Sequence, residues 1–589
     1  MFDQAFELAR FCAAVAILSV PGILGARLLV PSLPALERWI LGATVGLAAA
    51  VFLAFVLSYA RLSLFYPVWL LASAILLIVW YRRRRSPRTS FVPSPASMIL
   101  AIVLALVASS RFGATFLDVL PPGWDSCFHL ILAKKLALAG RMVTDWEPFE
   151  NISLNYPLGS HVLVAITAAI ARIPLHTAFK LLMPAFGVLT TALIFLFGSR
   201  VSGREEVGAF SALAYGLWAV YGSIDYYRWG GLPNAIAMAF LVAVLVLLCT
   251  SPPDRRRSAL ACILLVSIAL THHHVMLVAG FVLLALAGVL AVSGHKDRAV
   301  RGLVVPLIGA AILGSFYFVP YALKATTLGS TGVLTFDELL FTPAKIVLSF
   351  GIVLSAAAGL GVWQTLRSPI ASAEIRTLHV VAVSLLLLFV GFEYVYRLIS
   401  WARTGTGYVA FTPSRFLADL AYMLSVYAGI AVVWTKDRFQ VRTATATAAC
   451  LALALTTIPA WKARDGAGDP VPLFRAFQWI ESHTPPDALV LNRHPWAVYG
   501  TWRRCRSTPI PISEPSRDGT PNSVLFEAIE NGTIPPEVRG TMIVQVVPLE
   551  GRAVPWPILW TDGSGIAVVE WWHGERGAHA HQDLRDAPR

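Results

Sequence analysis

Apolar stretches of about 20 residues, separated by short polar gaps, recur along most of the chain. A helix of that length crosses a hydrocarbon core of about 30 Å. The pattern therefore predicts about 14 transmembrane helices, and we expect an all-α polytopic membrane protein. The predicted spans are residues 7–30, 39–60, 65–81, 97–115, 178–198, 207–224, 232–250, 258–271, 275–293, 301–320, 344–363, 377–396, 415–434 and 443–460.

Positive charge in the gaps predicts the orientation. Basic clusters occupy residues 82–85, 255–257, 295–301, 367–376 and 436–442. If the first cluster lies in the cytoplasm, alternation of the spans places the others there too, as the positive-inside rule requires. The net charge of +13 is thus explained by membrane topology, without a nucleic-acid partner. We expect a multi-pass protein of the plasma (inner) membrane.

Two apolar segments are better explained as surface helices than as spans. Residues 159–173 form a stretch of only about 15 residues, with His161 near one end. Residues 128–139 include two adjacent lysines on an otherwise apolar helix. Both segments are typical of helices that lie in the membrane interface. The sequence thus predicts one long external loop, residues 115–177, that carries two surface helices.

The composition changes at the C-terminal end. The whole chain is 57% hydrophobic and 14% charged, but Pro, Asp, Glu and Arg become more frequent here and apolar runs shorten to strand length. We expect an extracytoplasmic α/β domain at residues 461–572, with a helix at 472–482, and a disordered tail at 573–589. The membrane part divides into N-terminal helices, residues 1–96, and a core, residues 97–460. The predicted strands are residues 488–491, 542–547 and 566–569.

Ionisable and aromatic side chains gather in the segments predicted to be external. Ionisable groups at the rim of a membrane are costly and are therefore candidates for function. In the long loop these candidates are Asp125, His129, Lys134, Asp145, Glu147, Glu150, Tyr156 and His161. In later external segments they are Tyr227, Arg228, Trp229, His272, His273, Arg403 and Arg415.

The order of these motifs resembles the GT-C superfamily of integral membrane glycosyltransferases. Asp125 heads a surface helix that ends at Gly140, and an acidic segment and the stretch Tyr156-Pro-Leu-Gly follow. Many spans and a C-terminal external domain complete the resemblance to protein O-mannosyltransferases, arabinosyltransferases and oligosaccharyltransferase catalytic subunits. The resemblance implies that a sugar is transferred from a polyprenyl-phosphate carrier to a glycan, lipid or protein acceptor at the outer membrane face.

The resemblance places a general base at Asp125. Such a base takes the proton of the acceptor hydroxyl as the hydroxyl attacks the sugar. The alternative role of this residue is to cap the helix that follows it. Many members of the superfamily carry two adjacent acids here, whereas Ser126 follows Asp125 in this chain, so a second acid would come from Asp145, Glu147 or Glu150. A requirement for a divalent metal stays open, and the sequence indicates no other cofactor.

Cations are expected at the leaving phosphate, where they stabilise negative charge. Arg415, ahead of a late span, resembles the lipid-phosphate ligand of the superfamily, and its planar fork suits bidentate contact. The alternative is an arginine that reaches the lipid headgroups as an anchor. His272 or His273 would add a second phosphate contact, with ordinary interface histidines as the alternative, and Arg228 and Arg403 are further candidates.

The remaining candidates are assigned to substrate binding. Tyr227 and Trp229 lie beside a Gly-Gly pair and suit stacking on a sugar, although aromatic residues also form ordinary belts at membrane interfaces. We assign the same role to the polar and aromatic residues of the long loop other than Asp125, namely His129, Lys134, Asp145, Glu147, Glu150, Tyr156 and His161.

A transporter or a lipid flippase for cell-envelope precursors is the alternative function. Transporters often consist of two repeated halves and place charges near the membrane midplane. This chain shows no internal repeat, and its candidate charges gather at the predicted outer face. These features favour the enzyme. The sequence also contains no Walker A motif, no dinucleotide-binding glycine motif and no HExxH motif.

Overall fold

A computed structural model describes residues 2–65, 77, 79, 81, 94–116, 118–154, 156–248, 254–325, 343–367, 373–404, 413–457, 471–492, 494, 496–506, 522–530, 541–549, 556–561 and 565–573. Most of the predicted span 65–81 and nearly all of the predicted tail 573–589 lie outside the described residues.

Helices make up almost all of the described membrane part. In the first half they are α1 (Phe2–Leu29), α2 (Ala35–Tyr59), α3 (Pro95–Phe116), α4 (Trp124–Ala139), α5 (Gly159–Ala171), α6 (Leu175–Ser202), α7 (Glu205–Leu213), α8 (Asp225–Trp229) and α9 (Leu232–Leu248). In the second half they are α10 (Arg255–Thr271), α11 (His273–Val292), α12 (Lys296–Ala299), α13 (Val305–Ala325), α14 (Pro343–Phe350), α15 (Ile352–Arg367), α16 (Ala373–Val390), α17 (Arg397–Thr404), α18 (Pro413–Arg438) and α19 (Thr443–Ala454).

Eight helices within the described ranges are long and apolar enough to cross a membrane. They are Gln4–Leu29, Ala35–Tyr59, Pro95–Phe116, Leu175–Ser202, His273–Val292, Lys296–Tyr317, Glu374–Ile399 and Arg415–Arg438. A ninth span results if the pair formed by α14 and α15, bent by 105°, crosses as one unit. The shorter helix α9 is apolar except for Asn234 and is almost fully buried. The chain is therefore a multi-pass membrane protein of the predicted all-α class.

One predicted span, residues 207–224, is broken in the structure. Helix α7 continues as wide π-helical turns, but Ala219 and Tyr221 are extended and Gly222 has a φ of 78°. At Gly222 a side chain would overlap with the backbone of Ala418 in α18. Glycine therefore allows the chain to turn against α18, and this turn carries the segment up to Trp229 toward the site described below.

Polar contacts between helix ends show which ends lie on the same side of the bundle. At one end, ion pairs of 2.6 Å join Glu37 to Arg200 and Arg204 to Asp437. At the other end, the loop that follows α4 returns to α2, where the Met142 backbone N–H donates to Ser58 Oγ at 2.8 Å. This grouping is the one that alternating spans require. Which end faces the cytoplasm stays a prediction from the basic gaps.

The C-terminal region contains the predicted sheet. Its elements are α20 (Val471–His483), β3 (Leu489–Val490), α21 (Ala497–Thr501), β4 (Arg504–Cys505), α22 (Asn522–Glu530), β5 (Met542–Pro548), β6 (Ile558–Thr561) and β7 (Ile566–His573). The strand order is β4-β3-β5-β7-β6, and β3 is parallel to β4 and β5 whereas β7 is antiparallel to β5 and β6. Two further short strands, β1 (Asp145–Trp146) and β2 (Glu150–Ser153), pair within the long loop.

Candidate functional site

Helix α4 presents Asp125 at its first turn. The residue before the helix is Gly123, with a φ of 87°, and the helix ends at Gly140 in the left-handed conformation. Gly123 occupies the N-cap position, so Asp125 lies inside the helix and does not cap it. An acid in the first turn still interacts favourably with the partial positive charge of the helix N-terminus. Its carboxylate is thus held at a defined position at the rim of the bundle.

The Asp125 carboxylate faces the Arg415 guanidinium. The distance between Arg415 Nη2 and Asp125 Oδ2 is 3.7 Å, and the two side chains are 28% and 39% exposed. The neighbouring protein partly shields the carboxyl group from water, and this partial burial raises the pKa of Asp125, while the positive charge of Arg415 opposes the rise. The pair therefore combines an acid that is more basic than an ordinary aspartate with a cation that a ligand can still reach.

Trp229 of α8 packs its ring against the guanidinium of Arg415. The guanidinium carbon of Arg415 lies 5.2 Å from the centre of the Trp229 ring, a cation–π geometry. Two glycines allow α4 and α8 to approach this closely, because side chains at Gly123 and Gly230 would overlap with the backbones of Trp229 and Ser126. Gly123 and Gly230 thus bring two protein segments together at the site.

The histidines lie at a break between two helices. His272 is extended, with a φ of −156°, and separates α10 from α11. Its ring stacks on that of His273, with centres 5.1 Å apart, and the ring of Tyr156 meets His273 edge-on at 5.8 Å. Both imidazoles lie within electrostatic range of Arg415. His272 is only 2% exposed whereas His273 is half-buried, so His273 is the better placed to meet a ligand.

His129 and His161 contact one another, and both rings also contact the ring of Tyr156. His129 Nδ1 and His161 Nε2 are 3.0 Å apart, and the two residues are 4% and 1% exposed. Burial lowers the pKa of both imidazoles, that of His161 to about 3. The rings are thus neutral at ordinary pH, and one donates a single hydrogen bond to the other. Their contact joins α4 to α5, and their burial leaves little surface for a substrate.

Lys134 joins α4 to the C-terminal region. Its Nζ donates to Glu481 Oε1 at 2.6 Å and to the Tyr499 carbonyl at 3.1 Å, and it lies 4.9 Å from the centre of the Trp502 ring. The Phe149 ring meets Trp502 edge-on at 4.9 Å. The sheet-containing region therefore packs directly on the helix that presents Asp125.

Two acidic residues of the loop, Asp145 and Glu147, contact Lys135 in the last part of α4. Lys135 Nζ lies 3.4 Å from Asp145 Oδ1 and donates to the backbone carbonyls of Asp145 and Glu147. Among the described residues, no three His, Cys, Asp or Glu side chains come together in a geometry that could hold a metal ion. The residues that are described near Asp125 thus offer cations and imidazoles to a ligand.

Several predicted site residues cannot be placed in this arrangement. The side chains of Glu150, Tyr227 and Arg403 lie outside the described ones. Arg228 lies on α8 next to Trp229 and is half-buried. Their predicted roles stay predictions.

A buried polar network beside Arg415 was not predicted from the sequence. Asp419, one turn after Arg415 on α18, accepts hydrogen bonds from Tyr226 Oη at 2.8 Å and from His274 Nε2 at 3.0 Å. Asn234 donates in turn to the Tyr226 hydroxyl. Asp419 lies within the predicted apolar span, residues 415–434. An acid within a spanning segment is itself a signal of function, and that signal could have found it.

Comparisons with known proteins agree with this architecture. No protein-family model matches the sequence, and no curated protein matches it either. Solved structures do match. ArnT from Cupriavidus metallidurans, bound to undecaprenyl phosphate, aligns with a TM-score of 0.53 and 12% identity over 80% of this chain and 97% of its own. The archaeal oligosaccharyltransferase AglB from Archaeoglobus fulgidus, in complex with an inhibitory peptide and a dolichol-phosphate, aligns with a TM-score of 0.50 and 13% identity over 77% of this chain and 69% of its own.

Both of these proteins have the GT-C architecture, so the fold that the sequence motifs suggested is confirmed. At 12% and 13% identity the likeness concerns the fold. It assigns no role to an individual residue.

Proposed function

We propose that this protein is a membrane glycosyltransferase that transfers a sugar from a polyprenyl-phosphate carrier to an extracytoplasmic acceptor, which is a glycan, a lipid or a protein. The observation that carries the proposal is the 3.7 Å approach of the half-exposed Asp125 and Arg415 side chains at one end of a GT-C-type bundle. Sugar transfer from a polyprenyl phosphate requires a base and a phosphate-binding group that lie close to one another.

The reaction would use these groups as follows. The acceptor hydroxyl attacks the anomeric carbon of the sugar while Asp125 takes its proton. The bond between that carbon and the phosphate oxygen breaks, and the oxygen leaves with the bonding electrons as polyprenyl phosphate. Arg415 and His273 would stabilise the charge that develops there. The raised pKa of Asp125 suits this role, because a stronger base accepts the hydroxyl proton more readily.

The class of donor rests on the carriers that accompany the two structures of the same fold. ArnT was solved with undecaprenyl phosphate and AglB with a dolichol-phosphate. In this chain Arg415 lies at the start of α18, where a lipid phosphate at the membrane surface would meet its guanidinium. The sugar, whether hexose or pentose, and the stereochemical course are left open by the proposal.

The C-terminal region would contribute to acceptor binding. The ion pair between Lys134 and Glu481 seats this region on α4, the helix that carries Asp125. We further propose that this region and the site face the outside of the plasma membrane, in line with the basic gaps on the opposite side.

Reconstituted protein would test the proposal. Proteoliposomes that contain the membrane lipids of the source organism are incubated with its envelope fraction as acceptor, and mass spectrometry follows sugar-linked and free polyprenyl phosphate. We expect the sugar-linked lipid to be converted to free polyprenyl phosphate in an Asp125-dependent manner. Movement of intact lipid between leaflets without conversion would instead identify the flippase alternative and refute the transferase.

A further inference from the structure

Asp419 lies one helical turn after Arg415 on α18. Residues four positions apart share a face of a helix, so Asp419 and Arg415 are aligned along the side of α18 that faces the site. Asp419 is fully buried within the bundle. A carboxylate in such surroundings is costly and is retained where its oxygens are hydrogen-bonded.

The hydrogen bonds of Asp419 connect the elements that carry the site. Tyr226 donates to Oδ1 at 2.8 Å from α8, and His274 donates to Oδ2 at 3.0 Å from the first turn of α11. On α8, Trp229 follows Tyr226 by three residues and packs under the Arg415 guanidinium at 5.2 Å. Helices α8 and α18 are thus joined at two points one turn apart.

The third element is the histidine segment. His274 directly follows the half-buried His273, which we propose as a phosphate ligand, and the bond of His274 to Asp419 fixes the start of α11 against α18. Asn234 of α9 completes the network by donating to the Tyr226 hydroxyl. One carboxylate therefore fixes the relative positions of Arg415, Trp229 and His273.

We infer that Asp419 is a positioning residue. It holds Arg415 and His273 in the orientation in which they bind the phosphate of the lipid-linked donor. This inference rests on the proposed function. Asp419 is buried away from donor and acceptor and acts through Trp229 and His274, which support Arg415 and His273. Its removal should therefore weaken donor binding through Arg415, while the chemical step at Asp125 is affected less.

A double-mutant cycle tests this role. Asp419→Ala, Arg415→Ala and the double variant are compared with wild type for the donor KM, for kcat and for binding of polyprenyl phosphate without sugar. Since hydrogen bonds to a charged group are typically worth about ten- to hundredfold, we expect Asp419→Ala to raise the donor KM by about that factor. In the Arg415→Ala background the same change should have an effect of less than about threefold, because coupled residues are not additive.

Matched variants separate positioning from a general loss of stability. Asp437→Ala removes an acid from the opposite end of α18, where it pairs with Arg204 at 2.6 Å, and should leave the donor KM unchanged. Asp419→Asn and Tyr226→Phe preserve side-chain volume and provide the same cycle if Asp419→Ala does not fold. Each substitution should raise the donor KM when Arg415 is present. In the Arg415→Ala variant each should change the donor KM little.

The outcomes distinguish the two proposals. If wild-type protein neither binds nor releases polyprenyl phosphate, the proposed function is wrong. If wild-type protein does both and the effects of Asp419 and Arg415 on donor binding simply multiply, Asp419 is a structural residue and its positioning role is refuted.

Discussion

The Asp125 carboxylate lies 3.7 Å from the Arg415 guanidinium, although the first belongs to an early loop helix and the second to a late spanning helix. An isolated exposed pair at this distance would contribute little to stability. Here the burial of Asp125 and the cation–π contact of Arg415 with Trp229 place the pair in a defined geometry. Such a pair is better explained by a role in the reaction than by a contribution to the stability of the fold.

Replacement of Asp125 by Asn should abolish most of the transfer. The amide keeps the shape of the side chain but cannot take a proton, and loss of a general base typically lowers the rate by about 10²–10⁴-fold. The variant should fold as wild type does, because Asp125 is not the helix cap. Transfer is measured as free polyprenyl phosphate formed per minute, alongside thermal unfolding in detergent. A rate within a few-fold of wild type would show that the base lies elsewhere.

Replacement of Arg415 by Lys should weaken use of the donor by about tenfold to a hundredfold. Lysine keeps the charge but loses the planar fork that contacts phosphate at two points, and hydrogen bonds to charged groups are worth about 1.5–3 kcal/mol. An arginine that only anchors the helix at lipid headgroups would tolerate this change. The donor KM decides between the two roles, and an unchanged KM would exclude the phosphate role.

Removal of the charge of Arg415 should shift the pH dependence of the reaction. Arg415 lowers the pKa of Asp125, so Arg415→Gln should raise that pKa further. The base works only when deprotonated, and the acid limb of kcat/KM should therefore move to higher pH. Arg415→Lys serves as the matched control, since it retains the charge and should leave the limb nearly in place. Identical limbs in wild type and Arg415→Gln would contradict the assignment of the limb to Asp125.

Lys134→Met should loosen the C-terminal region from α4. The variant loses the 2.6 Å bond to Glu481 and the contact with the Trp502 ring. Because Glu481 is 37% exposed, we expect a loss of only about 1–2 kcal/mol. Faster release of the region by limited proteolysis would report the change. The exposed Lys296, at the opposite end, provides the control Lys296→Met, and equal proteolysis of both variants would argue against the contact.

Cysteine labelling should reveal which end of the bundle is outside. In a Cys12→Ser background, which removes an exposed native thiol, reporters at Arg141 and Gln478 should react with an impermeant thiol reagent in intact cells. Reporters at Arg256 and Lys296 should react only after the membrane is opened. All four positions are exposed in the structure, so burial would not explain a difference. Labelling at Arg256 but not at Arg141 would reverse the orientation.

Local sequence pattern was sufficient to predict many of the individual helices and strands. The lengths of apolar runs predicted spanning helices such as residues 39–60, which is Ala35–Tyr59 in the structure, and the helix predicted at residues 128–139, which is Trp124–Ala139. The helix predicted at 472–482 is Val471–His483, and the strand predicted at 542–547 is Met542–Pro548. Hydrophobic periodicity reports on such elements because it reflects the burial of one face or of a whole helix.

Which of the candidate residues contact one another depends on how the helices pack, and this is seen in the structure alone. The approach of Asp125 to Arg415, the burial of His129 and the contact of Lys134 with Glu481 each join segments that are distant in the chain. Hydropathy carries no information on such pairings, because the same apolar helix packs in many registers. Asp419 shows the limit most clearly: one acid within an apolar run hardly changes its average hydropathy, yet its two oxygens join three of the elements that build the site.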